Sequence, residues 1–464
     1  ADHVCVVLTD GGVTCWGQGL DGRLGNGGTS TVTAPPAPIT LPSPGTAAAV
    51  SAGYRHSCAV LTSGAVTCWG QDFSGELGNG TGSTDDVLTP PSPITLPGSA
   101  IAASVSAGFD GTCVVLSDGD VSCWGTGRYY RLGTGSIVTS HSPSSPIDMP
   151  GAYLAYAVAV GDSTVCALAG AGVVCWGDDI YGTAGVGTLN GDNQFPSDPF
   201  DVIGANPVDG LTSYVQGNCS LQSASGVLRC WGLNDDGQLG LGTSDSEAHD
   251  APGARVTFPA PDSVVMADGF MEHICAVQSG GQLACWGLDQ NGQVGNGSAT
   301  SVEEPTPVAI TLPSPGTATD VGTGYSFSCA LLTDGKVTCW GSDDDGQLGN
   351  GATTGLVHAP PATITLPAPG TASKIDAGYA FACALLTDGK VTCWGNDSSD
   401  QLGNGAASAD VTAPPAPITL PGPGTAVDIE LGERHACALL TDGSVACWGE
   451  DLQGQVGNGG VPGW

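Results

Sequence analysis

Short apolar runs separated by turn residues recur along the whole chain, and cysteines bound them. One copy reads Cys-Ala-Leu-Leu-Thr-Asp-Gly-Lys-Val-Thr-Cys at 329–339. A three-residue turn with glycine in the left-handed position is a favoured link between antiparallel strands. The pattern therefore predicts a β-hairpin with Leu331 opposite Val337 and Cys329 opposite Cys339. Both faces are largely apolar, as expected for a sheet that packs between two neighbours.

This hairpin pattern occurs nine times, and Trp-Gly follows the second cysteine of each copy. Successive Cys-Trp steps are 53, 55, 52, 55, 55, 54, 54 and 54 residues apart. Self-similarity at such a period is typical of propellers and repeat arrays. The segment Ile-Thr-Leu-Pro recurs five times and is predicted as an edge strand that opens a unit. With it, each repeat has about four short strands, the composition of a propeller blade.

The two cysteines of each hairpin are predicted to form a disulfide. Directly opposed residues of antiparallel strands have Cα atoms about 4.5–5.5 Å apart, within the range that a disulfide tolerates. Where the spacing changes by one residue, a two-residue or four-residue turn keeps the cysteines opposed. Zinc is the alternative, but the spacings lack a Cys-x2-Cys knuckle. The predicted pairs are Cys5–Cys15, Cys58–Cys68, Cys113–Cys123, Cys166–Cys175, Cys219–Cys230, Cys275–Cys285, Cys329–Cys339, Cys383–Cys393 and Cys437–Cys447.

Composition narrows the environment and the partners. Persistent disulfides predict an oxidising compartment, so we expect a secreted or cell-surface protein. The 464 residues include 45 acidic and 10 basic side chains, a net charge of −35, which argues against nucleic-acid partners. No apolar run approaches the roughly 18–20 residues of a membrane helix. The chain begins at Ala1 without an initiator methionine or signal peptide, so we expect a processed chain or a fragment.

The motif Gly-x-x-His-x-Cys-Ala-x-Leu-Thr-x-Gly-x-Val-x-Cys-Trp-Gly, followed by Gly-Gln-Leu-Gly-Asn-Gly, resembles the regulator-of-chromosome-condensation repeat. Residues 432–459 are a good copy, with His435, Leu439, Trp448 and Gly454 in the expected places. The resemblance spans essentially the whole chain and implies an all-β propeller of four-stranded blades. It also implies an interaction platform, because the family includes a chromatin-bound guanine-nucleotide exchange factor and secreted bacterial inhibitors that cap β-lactamases.

The number of repeats differs from the usual number in the family. The usual ring of the family has seven blades, whereas this chain has nine hairpins. A nine-bladed ring with a defective seam, a seven-bladed ring with two further blades, and an open superhelical array all remain open. The even spacing favours one continuous domain, 1–464. Its hairpin-centred units are expected at about 1–38, 39–93, 94–146, 147–201, 202–255, 256–309, 310–363, 364–417 and 418–464.

In most repeats, the loop that follows Trp-Gly has an acidic or amide residue three places past the tryptophan. Equivalent loops of a propeller share one rim, so these side chains are expected to form an acidic ring. Strings such as Asp343-Asp-Asp-Gly are similar to calcium loops, but the bidentate Glu at the twelfth position is missing. The alternative is an Asx-turn that caps the loop backbone. No cofactor is expected unless Ca²⁺ binds at Asp72, Asp179, Asp289, Asp343, Asp397 and Asp451.

Two further features bear on function. Histidine occurs two places before the first cysteine in four copies, and glycine, threonine or phenylalanine takes this place in the others. A packing or hydrogen-bonding role is therefore expected for His3, His56, His273 and His435. The third unit replaces the usual acidic loop by Arg128, Tyr129, Tyr130 and Arg131. Arginine and tyrosine are enriched at binding hot spots, so this loop is a candidate partner site, with a single diverged loop as the alternative.

These observations favour a non-enzymatic extracellular scaffold for protein interaction or structure, because no unique polar cluster stands out from the repeats. The first hairpin lacks the two strands that precede every other one. An open edge of this kind accepts a strand from another copy, so self-assembly into a surface layer or fibre is one expected role. The alternative is a secreted inhibitor or ligand-binding propeller that acts through one rim.

Overall fold

The computed structural model describes residues 3–33, 35–81, 85–149, 154–161, 164–169, 172–177, 200–201, 210–214, 217–222, 225–249, 255–259, 263–298, 302–405, 410–421 and 424–450. They form two compact units, unit 1 within 1–207 and unit 2 within 208–451. Both units consist of antiparallel sheets, so the predicted all-β class is confirmed. None of the helices in these ranges is long and apolar enough to cross a membrane.

Unit 1 contains four sheets, each one blade. The first blade has two strands, the next two have three, and the fourth has four. Their bounds are β1 His3–Val7, β2 Val13–Gly17; β3 Ala47–Ala52, β4 His56–Leu61, β5 Val66–Gly70; β6 Ala102–Ala107, β7 Gly111–Leu116, β8 Val121–Gly125; and β9 Ala155–Val160, β10 Thr164–Ala169, β11 Gly172–Gly177, β12 Phe200–Asp201. Three 3-10 turns lie at Leu20–Gly22, Pro97–Ser99 and Arg128–Tyr130.

Unit 2 contains five sheets, two of four strands and three of three strands. Their bounds are β13 Gly210–Tyr214, β14 Gly217–Gln222, β15 Val227–Asn234, β16 Asp245–His249; β17 Val264–Phe270, β18 His273–Gln278, β19 Leu283–Leu288, β20 Glu303–Ala309; β21 Ala318–Thr323, β22 Phe327–Leu332, β23 Val337–Gly341; β24 Ala372–Ala377, β25 Phe381–Leu386, β26 Val391–Gly395; and β27 Ala426–Leu431, β28 His435–Leu440, β29 Val445–Gly449.

The predicted hairpins and their pairing are confirmed. Leu331 lies opposite Val337 and Cys329 opposite Cys339, and Gly335 closes the turn at a φ of +81°. Glycine is favoured there because a left-handed backbone crowds any Cβ. All nine predicted cysteine pairs form disulfides, with Cα atoms 4.0–4.1 Å apart.

The fourth strand of a blade is weaker than the sequence predicts. In five blades it is reduced to an isolated bridge, such as that between Gly341 and Val357. Prolines flank these segments and cannot donate to a ladder, so pairing stops after one residue.

The Ile-Thr-Leu-Pro segments also lie elsewhere than predicted. The amide of Ile310 bonds to the carbonyl of Leu283 at 2.9 Å, so this segment closes the preceding sheet and does not open the next.

The core lies between successive sheets. All residues of β22 and β23 are buried, which confirms that both faces of the hairpin are covered. One face of this blade packs against the next blade in a cluster that includes Cys329, Leu331, Val337, Ala384, Leu386 and Trp394. Ile364 and Leu366, from an Ile-Thr-Leu-Pro segment, fill the same cluster. Burial of these apolar faces is what holds neighbouring blades together.

Candidate functional site

In five of the described loops that follow the Trp-Gly pair, the turn closes on the residue three places past the tryptophan. Asp343 Oδ1 accepts the amide of Leu348 at 3.1 Å, and its Oδ2 accepts three further hydrogen bonds, from Asn350 and Thr354, at 2.6–2.9 Å. The same bond to the amide five residues on, at 3.0–3.2 Å, is made by Asp72, Asn234, Asp289 and Asp397. These buried side chains cap the turns of their own loops.

Cation binding at these carboxylates stays a prediction, and the hydrogen-bond donors on them compete with it. Burial raises the pKa of Asp289 to about 6 and raises the pKa values of Asp72 and Asp397, which disfavours the ionised form. In the part of the chain that the structure describes, no three His, Cys, Asp or Glu side chains are arranged to hold a metal ion. Asp179 and Asp451 lie outside the described residues.

In seven described loops, the carbonyl of the residue seven places past the tryptophan bonds to the following blade. Gln293 Oε1 accepts the amide of Asn291 at 2.9 Å, and its carbonyl accepts Trp340 Nε1 at 2.9 Å. The same indole–carbonyl bond, at 2.8–3.0 Å, joins Trp69 to Arg23, Trp124 to Glu76, Trp176 to Arg131, Trp286 to Gln238, Trp394 to Gln347 and Trp448 to Gln401. These tryptophans are fully buried, so they are core residues, as expected.

Three of the four recurring histidines make bonds between blades. His56 Nε2 lies 2.7 Å from Thr112 Oγ1, and this hydroxyl donates to the carbonyl of Glu76 at 3.0 Å. Because the hydroxyl proton is used, Nε2 is the donor. Burial, with Arg23 nearby, lowers the pKa of His56 to about 4, so the imidazole is neutral. The pairs His3–Ser57 and His273–Ser328 repeat this geometry.

The Arg128–Arg131 loop divides into an exposed and a buried part. Arg128 is exposed, and its Cζ lies 4.9 Å from the ring centroid of Tyr129. Tyr129 and Tyr130 have φ angles of 60° and 55°, a backbone region that costs energy for residues other than glycine. Arg131 is buried, and its carbonyl accepts the indole of Trp176. A partner therefore has access to Arg128 and the tyrosines, whereas Arg131 is part of the blade-to-blade contact.

Other exposed apolar side chains lie on the same loops, and the sequence analysis missed them. The fourth residue past the tryptophan is Leu20 in the first blade and Phe73 in the second, with 53% and 69% of their surface exposed. Ile137 and Val138 are 61% and 70% exposed. They lie beside the base of the Arg128 loop, because a Cβ at Gly127 would fall 2.3 Å from the Val138 carbonyl oxygen. Aligning the nine loops position by position is the signal that would have found them.

Comparison with known proteins agrees with this geometry. The model of the RCC1-like domain matches residues 1–330, more than two thirds of the chain. The chain belongs to the RCC1-like domain family. The model of the regulator of chromosome condensation (RCC1) repeat also matches residues 318–347, 372–401 and 426–455. Family membership therefore confirms the resemblance found in the sequence, across both units.

The RCC1-like relatives have diverse roles. The ultraviolet-B receptor UVR8 of Arabidopsis thaliana is 27% identical over 379 residues, 81% of each chain. The mouse E3 ubiquitin-protein ligase HERC2 is 29% identical over 313 residues, which cover 65% of this chain but 6% of the ligase. The structure of human WBSCR16 matches 81% of this chain and all of its own, with 22% identity and a TM-score of 0.52. That likeness bears on the fold alone.

The first strands of successive RCC1-like blades are joined by side chains that accept a main-chain amide of the next blade. In unit 1 the acceptors are hydroxyls, Ser51 and Ser106, at 3.0 Å. In unit 2 they are carboxylates, Asp268, Asp320 and Asp376, at 2.7–3.0 Å. Burial raises the pKa of Asp320 to about 6 and, with the nearby Asp268, raises that of Asp376 to about 8. Burial therefore favours the protonated form of these carboxyl groups.

Aromatic pairs lie where the first strand of a blade turns into the second. Tyr325 and Tyr379 stack with ring centroids 4.5 Å apart, and Tyr54 and Phe109 stack at 4.4 Å. The amide of Tyr325 also donates to the carbonyl of Tyr379 at 3.1 Å. The rings cover each other across successive blades, so they stabilise blade stacking.

Proposed function

We propose that this RCC1-like protein is a non-enzymatic extracellular scaffold whose role is to bind proteins. The observation that carries this proposal is the use of its buried polar side chains. The side chains of His56, Thr112, His273 and Ser328, all buried, make hydrogen bonds that join one blade to the next. Side chains committed to blade stacking leave the loops and rims as the functional surface.

The extracellular part of the proposal rests on the disulfides. All 18 cysteines form pairs within hairpins, and such disulfides are typical of an oxidising compartment. When the native protein is denatured without reductant, no free thiols are expected. After reduction, 18 free thiols per chain are expected. Free thiols in freshly isolated protein would contradict the extracellular assignment.

Self-assembly is the form of scaffold that the first blade supports. Its sheet has two strands, β1 and β2, whereas every other described sheet has at least three. An uncovered sheet edge accepts a strand from a neighbour. The test is the solution mass of the native protein together with electron micrographs of the same sample. Regular polymers are expected from a fibre or layer subunit, and a stable 45.8 kDa particle at all concentrations would exclude that role.

Ligand binding through one rim is the second candidate, and the Arg128 loop favours it. An exposed arginine stacked on a tyrosine, carried by a strained loop, is a preformed contact of the kind found at hot spots. In this case the protein stays monomeric and binds a partner, and Arg128→Ser lowers the affinity for that partner. The two candidates therefore separate in one experiment on solution mass.

A further inference from the structure

The loops of the first two blades present apolar side chains, and the loop of the third presents an arginine, where the loops of the fifth to eighth blades present other polar side chains. At the fourth place past the tryptophan, unit 1 has Leu20, Phe73 and Arg128. The same place is occupied by Asp235, Gln290, Asp344 and Ser398 in the fifth to eighth blades and by Leu452 in the ninth. Tyr129, Ile137 and Val138 lie beside Arg128, and we call these exposed residues on the successive loops of unit 1 the apolar rim. Contiguous exposed apolar surface on a folded protein marks an interaction site.

The apolar rim is held rigidly by its own blades. Gly22 lies against Leu88 of the second blade, and Gly75 against His141 of the third, so a Cβ at either glycine would fall 2.6 Å from its neighbour. Successive loops therefore follow one another along a single edge. Arg23 anchors the first loop through hydrogen bonds to the Leu20 and Tyr54 carbonyls at 2.9–3.0 Å. A surface that is ordered before binding pays less entropy on association.

Charge gives the apolar rim a direction. Near Leu20, Asp21 is neutralised by Arg23 at 2.8 Å, and Asp86 interacts with Asp21. At the other end, Arg128 has no carboxylate within ion-pair distance among the described residues, although the chain has 45 acidic side chains. An exposed guanidinium without an ion pair, already stacked on an aromatic ring, is suited to a carboxylate supplied by a partner.

We propose that the apolar rim binds a protein segment that carries a row of apolar side chains and a carboxylate at the end placed over Arg128. The apolar side chains contact Leu20 and Phe73, and the carboxylate pairs with the guanidinium. This inference rests on the proposed interaction function and adds the surface and the chemistry of the partner. Anionic lipid is disfavoured as the occupant, because the net charge of −35 repels it.

The test is a selection from a displayed library of 16-residue peptides with the oxidised full chain as bait. The rim variants are Leu20→Gln, Phe73→Ser and Arg128→Asp, whose new side chains already occur at the equivalent place in unit 2. The control is Leu356→Ser, which removes an apolar side chain that is 45% exposed in unit 2. Selected peptides are expected to share apolar positions and an Asp or Glu. Their affinity should fall about tenfold or more on each rim variant and stay unchanged on the control.

Three results would overturn the assignment of the rim. Peptides that bind the rim variants as tightly as the original chain would place the interaction elsewhere, and the scaffold function would stand. Selection of basic peptides that Arg128→Asp does not weaken would contradict the proposed charge pairing. The third result is that no peptide is enriched and that phosphatidylcholine vesicles bind the original chain but not Phe73→Ser. It would show that the rim is a lipid contact, and it would also count against the protein-binding function.

Discussion

Trp340 Nε1 donates a hydrogen bond of 2.9 Å to the carbonyl oxygen of Gln293, which belongs to the preceding blade. Six other tryptophans donate equivalent hydrogen bonds, which join neighbouring blades within each unit. The bond crosses the apolar core between two sheets, where an unpaired carbonyl has no water to replace its partner. These seven tryptophans are therefore both core side chains and links between blades.

Trp340→Phe is expected to lower the free energy of unfolding by about 1–3 kcal/mol, because it removes the donor and leaves a small void. Trp16→Phe is the matched control, since Trp16 Nε1 has no hydrogen-bond partner among the described residues. Denaturant unfolding of both variants checks the prediction. Equal losses would mean that the indole bond contributes nothing beyond the packing of the ring.

Glu76→Gln is expected to stabilise the protein at neutral pH. Glu76 is buried at the place where most unit 2 loops have glutamine, and burial raises its pKa to about 7. Because the folded-state pKa lies above the unfolded value, the wild-type protein loses stability as pH rises from about 4.5 to 7. The glutamine variant avoids this loss, which is roughly 3 kcal/mol at most.

Unfolding free energies at pH 4.5 and pH 8 check the prediction for Glu76. The variant and the original chain should be similar at the lower pH and differ at the higher one. Glu433→Gln is the control at an exposed position and should show no such divergence. A constant difference between the two proteins at all pH values would show that ionisation of Glu76 is not the cause.

Thr112→Ala is expected to cost about 1–3 kcal/mol of unfolding free energy, because it leaves the buried Nε2–H of His56 without an acceptor. A second substitution, His56→Phe, should recover part of the loss. Phe327 and Ala382 already form this combination in the core between two later blades. A double-mutant cycle measures the coupling, and additive effects of the two substitutions would contradict a direct bond.

Lys374→Met is expected to lower the unfolding midpoint more than Lys390→Met. Lys374 Nζ lies 2.7 Å from Asp428 Oδ1 and from Glu430 Oε1, and these hydrogen bonds raise its pKa against the opposing effect of burial. Lys390 pairs with one exposed carboxylate, Asp388, and such pairs contribute little. Since salt screens the repulsion left behind, the loss at Lys374 should shrink in high salt. A loss independent of salt would indicate packing by the lysine stem instead.

The sequence by itself determined the hairpins, the nine disulfides and the apolar faces of the blades. Cys329 and Cys339 are ten residues apart, and the turn between them leaves one register that buries Leu331 and Val337. Interactions this local depend on backbone geometry, which a few residues specify. The recurring period then made the family recognisable.

The tertiary structure decided which side chains meet between blades and which reach solvent. His56 and Thr112 are 56 residues apart, and Glu76 lies far from Trp124 along the chain, so no local pattern pairs them. The carboxylates of Asp72 and Asp343 are turned inward because loop amides need acceptors, whereas Leu20 and Phe73 are left outside because the loops are already closed beneath them. Exposure depends on what neighbouring blades cover, and only the packed structure determines that.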